Sequence, residues 1–317
     1  MNWKVISVLV LVLSVGSIGG LSLDLSGDGL AVYEDLQHGT NPLEVDTDED
    51  GLTDYEEIHN YKTNPLSRDT DEDGLSDSKE IEVGTHPTIF DSSGDGLPDG
   101  YTYNESRLDV DRYNFIVEIT AGEHTAVPDK KEQIREYLDG VPVYSRMGEK
   151  GINVVFIETE PVVEQPRFSS WEEYETTYYP ENHTLDGYGV HHISVVDSLG
   201  EGRATGYTSS AIDGMVVEEQ RTEKQTIDIM LHEMGHQMGL WSGYDGIDSK
   251  KYDWNEYPSV MNYNSPVVLE EYSLQYASTD YTIIQNQFIT NQASIDELEN
   301  EIAGEQLYTQ DIVDLSE

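Results

Sequence analysis

Two histidines and a glutamate lie close together between Leu231 and Gly239, where the sequence reads LHEMGHQMG. His232 and His236 are four residues apart, so on a helix both imidazoles lie on one face and can bind one metal ion. Glu233 follows the first histidine. A zinc ion held by neutral imidazoles polarises a water molecule, and a nearby carboxylate accepts its proton as that water attacks a peptide carbonyl. The segment therefore predicts a zinc-dependent peptidase site.

The residues around these three groups favour a helix from about Lys224 to Met238. Apolar side chains recur there at helical spacing, and they are Ile227, Met230, Leu231, Met234 and Met238. Gly239 follows directly, where a glycine commonly ends a helix. Such a helix has one buried side, and we expect the histidines to face elsewhere.

A second pattern, SVMNY, follows at Ser259–Tyr263. HExxHxxG followed by S-x-M-x-Y resembles the metzincin clan of zinc endopeptidases. The resemblance covers Leu231–Gly239 and Ser259–Tyr263. It implies an α+β catalytic domain in which a mixed sheet lies over the active-site helix and a methionine turn lies beneath the metal. It also implies that Tyr263 ligates zinc or stabilises the oxyanion, although core packing is the other ordinary role of such a tyrosine.

The chain departs from the metzincin pattern at the third metal ligand. The clan has His or Asp three residues after the glycine, where this chain has Ser242, and no histidine follows His236. The nearest carboxylates are Asp245 and Asp248. Asp245 precedes a glycine, which is typical of turns, whereas Asp248 follows the apolar Ile247. We favour Asp248 as the third zinc ligand and keep Asp245 as the alternative.

Strand and helix patterns precede the active-site helix from about Arg112 onward. The predicted strands are Phe115–Thr120, Ile152–Glu158, Val190–Val196 and Gly214–Glu218, with a predicted helix at Lys130–Leu138 and a further segment at Trp171–Tyr179. By resemblance to metzincins, the loop Gly202–Gly206 followed by Gly214–Val217 is expected to form the sheet edge, to which a substrate peptide can pair. His191 and His192 point to opposite faces of one strand, so we expect each to be structural.

The segment from Asp24 to about Tyr103 is an internal repeat. Its four copies read SGDGL, DEDGL, DEDGL and SGDGL, and their central aspartates are Asp28, Asp50, Asp73 and Asp95. The second and third copies have acidic residues at positions 1, 3, 5, 9 and 12 of a calcium loop, glycine at position 6, and a leucine carbonyl at position 7. The predicted calcium ligands are Asp46, Asp48, Asp50, Leu52, Asp54 and Glu57 in the second loop, and Asp69, Asp71, Asp73, Leu75, Asp77 and Glu80 in the third.

The outer copies are less complete. The first has Ser26, Val32 and Asp35 at positions 3, 9 and 12, and the last has Ser93 and Thr102 at positions 3 and 12. We expect these copies to be weak sites or caps.

The segments between the loops allow one or two helical turns before a proline, which is too short for an EF-hand. The array resembles thrombospondin type 3 calcium repeats over about 80 residues of the chain. The alternative is an acidic spacer without specific metal.

The composition is extremely acidic. The 317 residues include 17 Lys and Arg against 63 Asp and Glu, for a net charge of −46. Hydrophobic residues still make up 37%, so a packed core is feasible. Molar salt shortens the Debye length to about 3 Å and relieves such self-repulsion. The composition resembles that of haloarchaeal proteins, and it argues against nucleic acid or anionic membranes as partners.

Residues 1–23 combine Lys4 with an apolar run from Val5 to about Ile18, which is typical of a secretory signal peptide. The apolar stretch also approaches the length of a membrane anchor. Both interpretations predict a secreted or cell-surface protein, in the second case attached through the N-terminus. The chain has no cysteine, so stability outside the cell must come from packing and metal ions.

These patterns predict four regions: a signal peptide or anchor at 1–23, calcium repeats at 24–105, a metzincin-like zinc peptidase domain at 106–285, and an acidic helix and tail at 286–317. The predicted function is an exported endopeptidase that uses Zn²⁺ and Ca²⁺, takes a peptide or protein substrate and has Glu233 as general base. The sequence does not predict the oligomeric state.

Two alternatives stay open. A non-catalytic calcium-binding surface or adhesive protein with a degenerate peptidase domain would account for Ser242, although it has no need for Glu233. A gluzincin-type enzyme would take its third ligand from Glu270 or Glu271, although the SVMNY segment argues against it.

Overall fold

The computed structural model divides the chain into two compact units. The first comprises Met1–Ser92 with Pro98–Asn104, and the second comprises Ser93–Leu97 with Glu105–Glu317. The structure describes residues 23–122, 125–159, 190–197, 199, 206–209, 214–245, 247–248, 250–253, 255–256, 259–261, 263 and 275–287.

Several predicted features lie outside these residues. They are the apolar segment at 1–22, the segment Trp171–Tyr179, the loop preceding Gly206, the glutamates Glu270 and Glu271, and the region at 288–317. Among the described residues, no helix is both long enough and apolar enough to cross a bilayer. The four sequence-based region limits stay predictions.

The first unit consists of calcium-type loops that are each followed by a short helix. The helices are α1 (Val32–His38), α2 (Asp54–Glu56, continued by a π-helical turn at Glu57–Tyr61), α3 (Asp77–Val83) and α4 (Asp99–Asn104). The leucine at position 7 is buried in each of the first three loops, at Leu30, Leu52 and Leu75. With so few apolar residues to bury, packing alone gives this unit a small hydrophobic contribution.

The second unit contains a five-stranded mixed sheet. Its strands are β1 (Tyr113–Ala121), β2 (Ile152–Glu158), β3 (Val190–Val196), β4 (Gly206–Ser209) and β5 (Gly214–Glu218). The strand order is β2-β1-β3-β5-β4, and only the β4–β5 pairing is antiparallel in this sheet. Helix α5 (Glu132–Asp139) packs against β2, and α6 (Glu223–Gln237) packs against β4 and β5. A last helix, α7, occupies residues 278–287.

The predicted α+β fold class is confirmed, with a mixed sheet lying over the helix that carries the histidines. The expectation for the sheet edge was wrong. Gly214–Glu218 is an interior strand, because β4 adds to its free side and forms the edge. At four residues, β4 is too short to be recognised from its alternation pattern.

Helix α6 is buried on almost every side, not only along the apolar stripe. Its buried residues include Glu233 and His236 as well as Ile227 and Leu231. Gly235 lets the chain beyond the helix approach closely, because a Cβ at this position would lie 2.7 Å from the sulfur of Met261. Met261 of the SVMNY segment therefore lies against the C-terminal part of the helix.

Candidate metal centre

Three side chains with metal-binding atoms converge next to α6. The Nε2 atoms of His232 and His236 lie 3.1 and 3.6 Å from Oδ1 of Asp248. Ligands about 2.0–2.1 Å from a tetrahedral zinc ion are about 3.3 Å apart. The spacing of these atoms therefore matches the dimensions of a zinc site.

Backbone carbonyls fix how both histidines are oriented. Nδ1 of His232 lies 3.0 Å from the carbonyl oxygen of Val260, and Nδ1 of His236 lies 2.5 Å from that of Leu240. A carbonyl can only accept, so in neutral imidazoles Nδ1 carries the proton and each Nε2 presents a lone pair. Such a bond on the far ring nitrogen is a common feature of metal-ligating histidines.

Asp248 has no proton donor for the oxygen that faces the histidines. Within the described part of the chain, its Oδ1 is buried and has no hydrogen-bond partner. Two nitrogen lone pairs and one carboxylate oxygen thus face each other, an arrangement that needs a cation or a proton among them. The residues present fit zinc, which accepts two histidines and one carboxylate.

The SVMNY segment helps to position both kinds of candidate ligand. The Met261 carbonyl accepts a hydrogen bond from the Asp248 N–H at 3.0 Å, while the neighbouring Val260 carbonyl holds His232. Asp248 adopts a left-handed backbone conformation with φ of 49°. An aspartate tolerates this conformation better than most residues do.

A buried carboxylate anchors the same segment from below. The Ser259 hydroxyl donates to Asp280 Oδ2 at 2.6 Å, and the Met261 N–H donates to Ser259 Oγ at 3.1 Å. Asp280 belongs to α7 and is fully buried. Helix α7 therefore contributes to the metal centre through the serine of the S-x-M-x-Y pattern.

Glu233 is held from the sheet edge. The Thr208 hydroxyl on β4 donates to Glu233 Oε2 at 2.6 Å, and only 5% of Glu233 is exposed. Gly206, two residues earlier on the strand, provides room for the glutamate, because a Cβ there would overlap its carboxylate. Sequence analysis missed Thr208 and named Gly206 only as part of the expected sheet edge. The Gly-x-Thr spacing, which places both on one face of a strand, was the only available signal.

The structure distinguishes among the candidates for the third ligand. Ser242 is exposed, and Asp245 is exposed and paired with Lys251 Nζ at 2.7 Å and with the Tyr252 hydroxyl at 2.7 Å. Among the described candidates for the third ligand, Asp248 is the one that lies next to the histidines.

Tyr263 lies at the metal centre and is not part of the core. Its ring stacks on His232 with a centroid distance of 6.0 Å, and 56% of the residue is exposed. Partial burial and the adjacent Asp248 carboxylate raise the pKa of Tyr263 to about 12. The phenol therefore keeps its proton at neutral pH and can donate a hydrogen bond.

The two strand histidines have structural surroundings. His192 Nδ1 lies 2.5 Å from Glu118, which is fully buried on β1, and His191 stacks on Phe115 with a centroid distance of 4.1 Å. Burial lowers the pKa of His191 to about 4, so its ring is neutral.

The first three loops share a hydrogen bond in which the aspartate at position 1 accepts the backbone N–H of the glycine at position 6. Asp46 Oδ2 accepts from Gly51, and Asp69 Oδ2 accepts from Gly74, each at 2.9 Å. The first loop folds in the same way despite its substitutions, because Asp24 Oδ2 accepts from Gly29 at 3.1 Å.

Many of the remaining oxygens have no donor. In the described residues of the first unit, seven buried carboxylate oxygens have no hydrogen-bond partner, and they belong to Asp28, Asp35, Asp48, Glu57, Asp69, Asp71 and Glu80. The trios Asp46–Asp48–Asp50 and Asp69–Asp71–Asp73 each present oxygens within 4.8 Å of one another. Calcium at 2.3–2.6 Å from its ligands spans up to about 5.2 Å between them, so the trios fit this ion.

Crowding of carboxylates changes their protonation when no metal is bound. Burial, followed by repulsion from Asp71 and Asp73, raises the pKa of Glu80 to about 10. The same causes, with Asp73 and Asp69 as neighbours, raise the pKa of Asp71 to about 8. Burial and nearby aspartates likewise raise the pKa of Glu57 to about 8.

Comparison with known families identifies the repeats. Residues 46–67 and 69–88 match the family described as bacterial TSP3 repeat. The resemblance to thrombospondin type 3 repeats is thereby confirmed for these residues. No curated protein sequence matches the chain.

Similar solved structures include two metallopeptidases. Archaemetzincin from Methanopyrus kandleri matches with a TM-score of 0.37 at 14% sequence identity. The matched region covers 56% of this chain and 96% of the archaemetzincin chain. Metalloproteinase-II from Bacteroides fragilis matches with a TM-score of 0.35 at 10% sequence identity. The matched region covers 55% of this chain and 52% of the metalloproteinase-II chain.

A third similar structure is described as a chaperone-substrate complex, with a TM-score of 0.38 at 15% identity. It covers 58% of this chain, which spans about a third (35%) of that protein's length. Likenesses this distant carry no argument about activity, which has to come from the site itself.

The raised carboxylate pKa values predict a pH-dependent first unit when calcium is removed. Unfolded Asp and Glu titrate near pH 4. Carboxyl groups whose pKa is raised on folding stabilise the folded state most at a pH below their unfolded pKa. This stabilisation is lost as the pH rises through their pKa values in the folded state, which are about 8 for Asp71 and about 10 for Glu80. With EGTA present, residues 24–104 should thus be protected at pH 4 and unprotected at pH 7.5.

Hydrogen–deuterium exchange of the full chain, corrected for the intrinsic pH dependence of exchange, measures this protection. Calcium at pH 7.5 should restore protection, because the ion replaces the protons. Equal protection at both pH values without calcium would contradict the prediction.

Proposed function

We propose that the second unit is a zinc-dependent endopeptidase of metzincin type and that the first unit is a calcium-stabilised module. The observation that carries the proposal is the convergence of the two histidine Nε2 atoms on Asp248 Oδ1, next to the buried Glu233. A scaffold protein has no need for this set of buried polar groups, since packed apolar side chains would be more stable.

His232, His236 and Asp248 are the proposed zinc ligands. Zinc, when bound, supplies a Lewis acid that activates water and polarises a carbonyl. Glu233 acts as general base and takes the proton of the attacking water. Thr208 holds one oxygen of the glutamate and leaves the other for the proton. The protonated glutamate then donates to the leaving amine.

Tyr263 is placed to donate a hydrogen bond near the same centre. Its raised pKa keeps the phenol protonated, and its exposure allows it to turn toward a bound carbonyl. A donor aimed at the developing oxyanion stabilises the transition state more than the substrate. We assign this role to Tyr263.

The proposed substrate is an extended peptide that pairs with β4. This strand is the sheet edge beside Glu233, and Tyr207 on it is exposed. Edge strands bind extended peptides through main-chain hydrogen bonds, which gives affinity with little sequence selectivity.

The proposed setting is outside the cell in high salt. The apolar N-terminal segment supports export, the TSP3 repeats support calcium binding, and the net charge of −46 supports adaptation to molar salt. Attachment through an uncleaved N-terminus is part of the same proposal.

Glu233→Gln tests the reaction. The variant should retain zinc, because the ligands are unchanged, and it should lose about a hundredfold to ten-thousandfold of its activity through loss of the general base. Zinc content by elemental analysis and cleavage of an unfolded protein in molar salt are the two measurements. Glu219→Gln, at an exposed position after β5, removes the same charge and should leave both unchanged.

A wild-type chain that neither holds zinc nor cleaves protein would overturn the proposal. That result would favour the non-catalytic surface protein.

Asp248→Asn tests the third ligand. Asparagine keeps the left-handed backbone conformation but lacks the charge, so zinc retention against a competing chelator should fall by about tenfold or more. Asp245→Asn is the matched control in the same loop, and it should change retention little because Asp245 pairs with Lys251. If Asp245→Asn lowered zinc retention more than Asp248→Asn did, the third ligand would be Asp245.

Thr208→Val tests the hydrogen bond that positions Glu233. Loss of a hydrogen bond to a charged group costs about 1.5–3 kcal/mol, which corresponds to about tenfold to a hundredfold in rate. We expect kcat to fall with little change in KM or zinc content, and Thr208→Ser to restore it. An equal loss in both variants would show that the hydroxyl has no such role.

A further inference from the structure

Two groups of buried carboxylates combine residues from successive repeats. Asp28 and Asp35, at positions 5 and 12 of the first loop, meet Asp54, at position 9 of the second. Asp73 and Glu80, at positions 5 and 12 of the third loop, meet Asp99, at position 9 of the fourth. In each group the ligand atoms lie within 4.8 Å of one another, which one calcium ion can span.

The position 9 aspartate is fixed by its own loop. The N–H and the hydroxyl of Thr47 donate to Asp54 at 2.8 and 2.7 Å. The N–H of Ser92 donates to both oxygens of Asp99 at 3.0 and 3.1 Å. In both cases the donor is at position 2 of the same loop, so position 9 is rigidly placed while it faces the ligands of the preceding loop.

A backbone contact tightens the second junction. The Gly100 N–H donates to Asp73 Oδ2 at 2.9 Å, and a Cβ on Gly100 would overlap the backbone of Asp73 and Leu75. A glycine next to Asp99 thus lets the fourth repeat approach the third loop closely enough to share a ligand set.

Unpartnered oxygens point to a bound cation at both places. Asp35 and Glu80 are fully buried, and within the described chain Asp35 Oδ2 and Glu80 Oε2 have no hydrogen-bond partner. The six carboxylates form no ion pair with Lys, Arg or His in that part of the chain. Buried charges without a partner are costly, and carboxylate oxygens are the ligands that calcium prefers.

We propose that calcium binds at these junctions, with positions 5 and 12 of one loop and position 9 of the next as ligands. The inference rests on the proposed calcium function of the loops and extends it. Asp54 and Asp99 are then calcium ligands of the preceding loop and not of their own loop. The first loop, which lacks acidic residues at positions 3 and 9, is a site that the second repeat completes, and not a cap.

Sharing of ligands links the ions along the array. Asp73 belongs both to the trio Asp69–Asp71–Asp73 and to the junction group with Glu80 and Asp99. An ion at either place orients the same carboxylate for the other, so binding is coupled along the third loop. Asp28, Asp35 and Asp99 lie outside the residues that match the TSP3 family, so the junctions extend the metal-binding region beyond them.

The test counts calcium on the full chain in molar salt, by equilibrium dialysis and elemental analysis. The two trios and the two junction groups together predict at least four ions in the wild type. Asp99→Asn should lower the count by about one. Glu72→Gln, which removes the same charge at an exposed position of the third loop, should not lower it.

A double variant separates a shared ion from a general loss of structure. If Glu80 and Asp99 bind the same ion, the single variants Glu80→Gln and Asp99→Asn should each lose one ion, and the double variant should also lose only one. If they belonged to independent sites, the double variant would lose two ions. Loss of all the repeat ions in Asp99→Asn, with residues 24–104 unprotected in hydrogen exchange at saturating calcium, would assign Asp99 to folding and overturn the proposal.

A wild-type count of two, unchanged in Asp99→Asn, would overturn the junction sites and leave the loop sites intact. No calcium in the wild type would overturn both. If the carboxylates are neutralised by protons and not by metal, the wild type should bind no calcium, and residues 24–104 should be protected from hydrogen exchange at pH 4 only.

Discussion

Buried atoms whose lone pairs face each other, and which need a cation or a proton among them, are the constraint on which both units depend. At the metal centre they are two imidazole nitrogens and one carboxylate oxygen, and in the repeats they are seven buried carboxylate oxygens. Such groups repel one another strongly in the low dielectric of a protein interior. A chain without cysteine cannot offset this repulsion with disulfides, so cations are its proposed source of both stability and chemistry.

The scaffold of the metal centre is distributed over distant parts of the chain. Helix α6 supplies two ligands and the general base, the SVMNY segment orients His232 and Asp248, and β4 holds Glu233. The Tyr276 hydroxyl donates to the Leu231 carbonyl at 2.6 Å and fixes the chain before α7 against the active-site helix. Orientation of this kind matters because small displacements of a catalytic group are costly in rate.

The repeats use the same hydrogen-bond pattern at different positions of the array. The position 5 aspartate accepts the N–H of the position 7 leucine in all four loops, at Leu30, Leu52, Leu75 and Leu97. In the last copy, Asp95 accepts from the Asn114 N–H at 2.9 Å and from its side-chain amide at 2.6 Å, both within the second unit. The position 5 carboxylate of the final loop thus accepts two hydrogen bonds from a strand residue.

Local sequence patterns determined the elements and the composition of the sites. The strands at 152–158, 190–196 and 214–218 were predicted at their observed limits, and the helix at 224–238 within one residue at each end. The HExxH spacing and the loop positions were readable for the same reason. Helical and loop geometry places residues three to five apart in the chain at fixed distances, so the chemistry is encoded locally.

Only the tertiary structure decided which distant residues complete each site. Thr208 and Glu233 are 25 residues apart, and Asp54 meets the first loop across a junction. The sequence left Asp245 and Asp248 both open and assigned the sheet edge to the wrong strand. Contacts of this kind depend on strand order, on the path of loops and on close approaches such as that at Gly206. No periodicity encodes them, because long-range packing of the whole chain sets those distances.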